Sequence, residues 1–293
     1  MPRILIAGCG YLGQAAADLF HNAGWEVEGW TMSMESAGEL SGKPYRVTAV
    51  DISNTGEVSA RPGDFEAVIH CASTRGGDVD LYRRVYLNGA HNLLGRFPES
   101  VMLFTSSTSG YAQTDGEWAT EESAAEPKHE TGKILREAEQ LVINQGGMAV
   151  RLAGIYGPGR SYLLKRFLSG EAIIDSRQDR FVNQIHRDDA AAALFFLLDR
   201  QPRNNRASRS RSESPAGEIY NVVDDQPILQ SECYRWLAAK LNRRVPPIGK
   251  STSNRKRGRS NKRVSNAKLR GLGWTPRYPT FAEGMENSVL PNL

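Results

Sequence analysis

The chain has 293 residues, 40% of them hydrophobic, a formal net charge of +4 and three cysteines. That length exceeds one small domain and fits one large or two intimate ones. Cysteines at such wide spacing argue against a disulfide framework and for a reducing cytoplasm, no Cys/His cluster has metal-ligand spacing, and no apolar run reaches the length of a membrane span.

In chain order, the first strand-like run is Ile4–Ala7, so close to Met1 that it leaves no room for a signal peptide. Gly8-Cys9-Gly10-Tyr11-Leu12-Gly13 follows, and then a helical pattern over Leu12–Ala23. Strand, glycine turn and helix in that order are what a nucleotide pyrophosphate needs. The turn is tight at Gly8, the backbone is bare at Gly10, Gly13 lets the helix pack closely, and the helix N-terminus points N–H groups at the anion. Cys9 reads as a small residue filling the turn, with a reactive thiol as the alternative.

Further strands are expected at Val27–Thr31, Arg46–Val50, Ala67–Cys71, Met102–Thr105 and Ala149–Ala153. Helices are expected around Val79–Leu94 and at Gly132–Asn144, Arg187–Leu198 and Gln230–Leu241. Continuous apolar strands alternating with helices predict an α/β fold, a Rossmann-type doubly wound parallel sheet with a smaller C-terminal substrate-binding region. The alternation weakens after about residue 157. The expected division is therefore a dinucleotide-binding domain over 1–157 and a mixed substrate-binding region over 158–293 with elements returning to the sheet. Two basic stretches, one holding Arg203, Arg206, Arg209 and Arg211 and the other running from Lys250 to Arg263, lack apolar periodicity and read as loops. No aromatic residues interleave there for base stacking, which disfavours nucleic acid, whereas an anion site for substrate phosphate suits the second stretch.

Several segments in register resemble the extended short-chain dehydrogenase/reductase superfamily, specifically its NAD-dependent epimerase/dehydratase-like members, in an atypical branch with GxGxxG. They are Val50-Asp51-Ile52, the strand Ala67-Val68-Ile69-His70-Cys71-Ala72, Ser106-Ser107-Thr108-Ser109-Gly110-Tyr111, Arg151 to Arg160 with its YGPG, Gln184-Ile185-His186-Arg187-Asp188-Asp189 and Tyr220-Asn221-Val222. The resemblance implies an NAD(P)-binding oxidoreductase or epimerase acting on a hydroxyl or carbonyl of a small or nucleotide-sugar-like substrate. It implies a cofactor held by Gly8, Gly10, Tyr11, Leu12, Gly13, Thr31, Ser33, Asp51, Ile52, Cys71, Ala72 and Lys133. It suggests a homodimer through Val79–Leu94 and Gly132–Asn144, whose outer faces are not apolar enough to demand one, so a monomer is the alternative.

The family reaction uses a Tyr base, a Lys four residues on, and a Ser or Thr hydroxyl. Here Ser107 and Lys133 take the last two positions, and the Tyr position holds His129. Two groups stand as replacements for the base: His129, if the helix starts early enough to share a face with Lys133, and Tyr111, the nearest phenol. The bland readings are an exposed helix-start histidine and a packed tyrosine. An NAD(P)-binding regulatory or redox-sensing protein without dehydrogenase activity is the alternative function. His70 and His186 match structural positions, and Asp189 is expected to cap or brace the helix that follows it. The second strand ends in Gly29-Trp30-Thr31-Met32-Ser33 without the carboxylate that favours NAD, so NADP is slightly favoured over NAD.

Overall fold

The computed structural model describes residues 1–74, 76–200, 217–250 and 260–293. The chain divides into two compact units: Met1–Gly110, Pro127–Arg151 and Ala191–Tyr220 form one, and Tyr111–Glu126, Leu152–Ala190 and Asn221–Leu293 the other.

The first unit is organised by a seven-stranded parallel sheet, β1 (Arg3–Ala7), β2 (Glu26–Thr31), β3 (Arg46–Ala49), β4 (Ala67–His70), β5 (Val101–Ser107), β6 (Met148–Leu152) and β7 (Ile219–Val222), whose last two strands run on into the second unit. Its order is β3-β2-β1-β4-β5-β6-β7. The chain winds outward in one direction from β1 and in the other from β4, so the strand order reverses between them. In open α/β sheets the ligand crevice lies at that reversal, at the carboxyl ends of the strands. Ile4, Leu5, Ile6 and Ala7 are fully buried, as a central strand covered on both faces requires. The helices are α1 (Tyr11–Asn22), α2 (Met34–Glu39), α3 (Thr55–Ser59), α4 (Val79–Tyr82), α5 (Gly89–Arg96) and α6 (Glu130–Asn144). α1 buries Leu12, Ala16, Ala17 and Phe20, and the Phe20 ring packs at 5.0 Å on Phe195.

The single helix expected over Val79–Leu94 is present with a defect: a π-helical turn, Arg83–Asn88, joins α4 to α5. A π turn disturbs the regular carbonyl ladder. The Val85 carbonyl there lies 3.0 Å from Nε2 of the fully buried His70.

In the second unit short strands pair in twos: Gly154–Tyr156 with Gln184–His186, Glu117–Ala119 with Lys262–Val264, Ile174–Asp175 with Ile248–Gly249, and Phe181–Val182 with Ile228–Leu229. Its core holds Tyr156, Leu164, Phe167, Tyr234, Leu237 and Phe281. Gly284 is a packing requirement there, because a Cβ would stand 2.0 Å from the Tyr156 hydroxyl. In the YGPG turn Gly157 and Arg160 exchange backbone hydrogen bonds around Gly159, whose φ of +72° favours glycine.

One buried ionic cluster fastens α6 to the sheet. Glu139 falls in phase with the apolar face of α6, beside Leu135, Ala138 and Val142, and is 1% exposed. Arg151 of β6, also 1% exposed, donates to it through Nε at 3.1 Å and Nη2 at 2.8 Å. Ser106 of β5 donates at 2.5 Å, and Arg136 of α6 donates from Nη1. Breaking a buried pair by neutralising one partner leaves the other charge uncompensated. Glu139→Gln is therefore expected to lower the unfolding free energy by about 3–5 kcal/mol, read by urea denaturation. A loss within the error of the measurement would contradict this role.

Candidate functional site

The parallel register brings the carboxyl ends of β1 to β4 to one edge. Ala7 is in register with Trp30 on one side and His70 on the other, and Thr31 with Ala49. The loops leaving these strands are tied to one another: Gly8 N–H and Cys9 N–H both donate to the Trp30 carbonyl, Cys71 N–H to the Ala7 carbonyl, and Val50 N–H to the Thr31 carbonyl. Four segments predicted from sequence to touch one cofactor, the glycine turn, Thr31–Ser33, Asp51-Ile52 and Cys71-Ala72, thus stand along one sheet edge.

The three glycines of the turn differ in physical role. Gly8 has φ +108°, and a Cβ there would lie 2.2 Å from the Ala72 backbone nitrogen. A Cβ on Gly13 would lie 2.2 Å from the Gly8 carbonyl oxygen. Both are demanded by the protein's own packing. At Gly10 a Cβ would meet nothing within 4 Å, and its φ of −94° is open to any residue. Neither the backbone nor the neighbours at Gly10 require glycine, and the bare backbone sits at the N-cap of α1, where the macrodipole is positive.

Around this turn most side chains are already engaged. The Cys9 thiol is buried and pushed up to about 12, by desolvation first and the nearby Asp18 charge second, which leaves it a space-filling group. Cys71 Sγ donates to the Gly8 carbonyl at 3.2 Å, and burial raises its thiol further. Asp51 accepts from the backbone N–H and the hydroxyl of Ser53. Ile52 is buried. At the end of β2, Thr31 Oγ1 donates to the Ser33 carbonyl, Ser33 Oγ caps α2 by accepting from Ser36 N–H, and Glu28 accepts from the Trp30 indole at 2.8 Å. Met32 and Met34 are largely exposed on either side of Ser33.

β5 delivers Ser107 to its carboxyl end, half-buried, its Oγ accepting from Ser109 N–H at 3.2 Å. Lys133 lies in the first turns of α6, exposed and ion-paired with Glu130 at 2.6 Å. His129 stands outside that helix. It is the N-cap, with extended backbone (φ −105°, ψ 142°), and its carbonyl accepts from Gly132 and Lys133 N–H. The helix starts at Glu130, so the shared helical face considered for His129 and Lys133 does not form. The bare Cα of Gly132 admits Pro127, whose Cβ lies 2.4 Å from where a Gly132 Cβ would be, and this folds residues 127–129 back over the first turn. Tyr111 is fully buried in the second unit and its hydroxyl donates to Asn221 Oδ1 at 2.9 Å, which makes it a packed tyrosine.

The other sequence candidates are structural. His186 is fully buried, accepts from Asp188 N–H at Nδ1, and its Nε2 meets Ser288 Oγ at 3.0 Å. Asp189 lies inside the helix Arg187–Asp199, so it does not cap it. Its carboxylate instead accepts from the backbone N–H groups of Arg277 and Tyr278. In the second basic stretch, Lys262 is buried with Nζ on the Tyr111 carbonyl, and the Arg263 guanidinium lies over Trp118 and Phe181 at 5.0 and 5.2 Å, while residues 251–259 and the stretch 201–216 are outside the described residues. Sequence reasoning passed over the Glu139 cluster. The available signal was a carboxylate in phase with an apolar helical face and an arginine inside an apolar strand. Among the described residues no His, Cys, Asp and Glu side chains group as metal ligands, and no helix is long and apolar enough to cross a membrane.

A β3-β2-β1-β4-β5 sheet with a glycine turn after β1 defines a Rossmann-type protein of the dinucleotide-binding class. The sequence pattern of the NAD dependent epimerase/dehydratase family matches residues 4–222, and the chain belongs to that family. It is similar to protein YeeZ of Escherichia coli K12, 26% identical over 95% of this chain and 97% of the relative. A solved structure from Methylobacillus flagellatus, described as that of an NAD-dependent epimerase/dehydratase, superimposes with a TM-score of 0.75 at 27% identity, covering 98% of this chain and 97% of that one. The UDP-glucuronic acid 4-epimerase of Bacillus cereus, solved in complex with NAD, shares the fold with a TM-score of 0.79 at 16% identity, over 99% and 98% of the two chains.

Two outcomes follow from this geometry. Gly10→Ala is expected to fold with an unchanged melting temperature and to lose affinity for NAD, measured by titration, while Gly8→Ala loses stability; equal NAD affinity in Gly10→Ala and wild type would contradict the role of Gly10. Burial lowers both His70 and His186 to about 4, below the ordinary value of 6.5. Groups whose folded pKa is depressed contribute stability that is fully present above the unfolded value and is lost as pH falls through the folded one. The melting temperature should therefore drop between about pH 6.5 and pH 4, with a shallower drop in His186→Asn. A flat profile over that window would contradict it.

Proposed function

We propose that the protein is an NAD(P)-dependent oxidoreductase or epimerase that works on a hydroxyl or carbonyl of a small or nucleotide-sugar-like substrate. The observation that carries this reading is Gly10, a glycine that its own fold does not require, at the N-terminus of α1 beside the four converging strand ends. The bound dinucleotide supplies hydride acceptance and donation. The glycine turn and the α1 N-terminus would hold its pyrophosphate with Tyr11, Leu12 and Gly13, and Asp51-Ile52 and Cys71-Ala72 would hold its adenosine side. With the dinucleotide bound, Ser107 would orient the reacting oxygen, Lys133 would hold the ribose, and His129, placed in the extended segment before α6 rather than on a face shared with Lys133, would take the proton. The second unit carries the residues that choose the substrate.

NADP is placed ahead of NAD. The end of β2 carries the Thr31 and Ser33 hydroxyls, both bonded within the turn, beside exposed methionines, and Glu28 is held by the Trp30 indole. A carboxylate reaching the ribose is what favours NAD. Tighter binding of NADP is expected in parallel titrations, and a clear preference for NAD would reverse the assignment.

A second reading is a cofactor-binding regulatory protein without hydride transfer. It is favoured by the Lys133–Glu130 pair and by the extended, exposed placement of His129. The two are separated by following nicotinamide absorbance across nucleotide-sugar and carbonyl compounds. The enzyme reading expects turnover of at least one, falling about 100-fold or more in Lys133→Ala. Turnover unchanged in Lys133→Ala would overturn the assigned role, and tight NAD(P) binding with no turnover of any compound would favour the regulatory protein.

A further inference from the structure

We infer that Glu139 is the positioning residue of the site: it fixes the end of β5, which carries Ser107, to α6, which carries Lys133. The inference rests on the roles proposed above for those two residues. Both carboxylate oxygens of Glu139 are used. Oε1 accepts from Ser106 Oγ at 2.5 Å and from Arg151 Nε at 3.1 Å, and Oε2 accepts from Arg151 Nη2 at 2.8 Å and from Arg136 Nη1. Charge balance alone needs only Arg151, with which Glu139 forms a two-point pair; the Ser106 hydroxyl adds nothing to it. What Ser106 adds is registry between β5 and α6.

Ser106 and Ser107 are adjacent and chemically identical, and the strand turns successive side chains to opposite faces. Ser106 donates its one proton to Glu139. Ser107 accepts from Ser109 N–H, which leaves its own proton to be donated elsewhere. Glu139 thus fixes one hydroxyl, and through the backbone the next one, against α6. Lys133 is six residues earlier on α6, about 9 Å along the axis, and a rigid helix carries any axial slip of Glu139 to it undiminished. Arg136 lies between them, its Cδ 3.8 Å from where a Cβ on Gly110 would be, so the same cluster also reaches the turn that follows Ser107. Misplacement of reacting groups by about 1 Å costs on the order of 100-fold in rate.

Glu139→Gln strands a buried arginine and is a poor probe by itself. Ser106→Ala removes only the tie to β5 and keeps the Glu139–Arg151 pair. In the full chain, the affinities of wild type and Ser106→Ala are measured for NAD and for ADP, which has the same adenosine and pyrophosphate without the ribose and nicotinamide that Lys133 and Ser107 would face; NADP and 2′-phospho-ADP replace them where NADP is the tighter ligand. A positioning role predicts that the dinucleotide binds several-fold more weakly to Ser106→Ala while the nicotinamide-free fragment binds as to wild type. Unchanged affinity for both, or an equal loss for both as a loosened fold would give, overturns the inference. A wild type that binds neither dinucleotide overturns the underlying reading, and this inference with it.

Discussion

At Gly8 the ends of β1 and β4 come so close that no side chain fits: a Cβ would stand 2.2 Å from the backbone of Ala72. Much of the candidate site follows from this contact. It sets the glycine turn against the β4 loop, starts α1 directly over the reversal of strand order, and through Gly13 seats that helix on the turn it leaves. Crowding at Gly8 and Gly13 contrasts with the open space at Gly10. The difference separates glycines that make the fold from the one that leaves the α1 N-terminus bare.

Several buried polar groups tie secondary-structure elements together. The Glu139 carboxylate is shared by two arginines and a serine, so that α6, β5 and β6 meet at one fully buried group. His70 and His186 are kept neutral by burial, and each meets an interruption of regular helix: His70 at the Val85 carbonyl in the first π turn, His186 at Ser288 in the second, Met285–Val289. Satisfying a buried polar group is worth more than its hydrogen bond alone, since leaving it unpaired costs the full desolvation penalty. This explains why the histidines of the strand-end motifs are packing elements.

The sheet was legible from sequence because its strands are continuous apolar runs closed by glycine or polar turns. Six of the seven were placed within a residue or two, from Ile4–Ala7 to Ala149–Ala153, although β7 was recognised only as the Tyr220-Asn221-Val222 motif. The four loop segments at the carboxyl edge were legible for the same reason, since parallel strands deliver their C-terminal ends to one side. What escaped were features set by three-dimensional packing. The start of α6 depends on Pro127 closing over Gly132, which no periodicity encodes, and it decides that His129 is a cap. Tyr111 and Asp189 carry the residue types of catalysis, yet one is held by Asn221 and the other by the backbone at Arg277 and Tyr278. Family register located these positions, and their partners decide what they do.

The central claim is that the open backbone at Gly10 and the N-terminus of α1 hold a dinucleotide pyrophosphate. The most direct measurement is a crystal structure of the full chain grown with NADP, and a second with NAD. The account predicts a pyrophosphate against the N–H groups at the start of α1, with the adenosine toward Asp51-Ile52 and the nicotinamide toward Ser107. A saturated crystal with no dinucleotide there, or with one bound elsewhere on the chain, would contradict it.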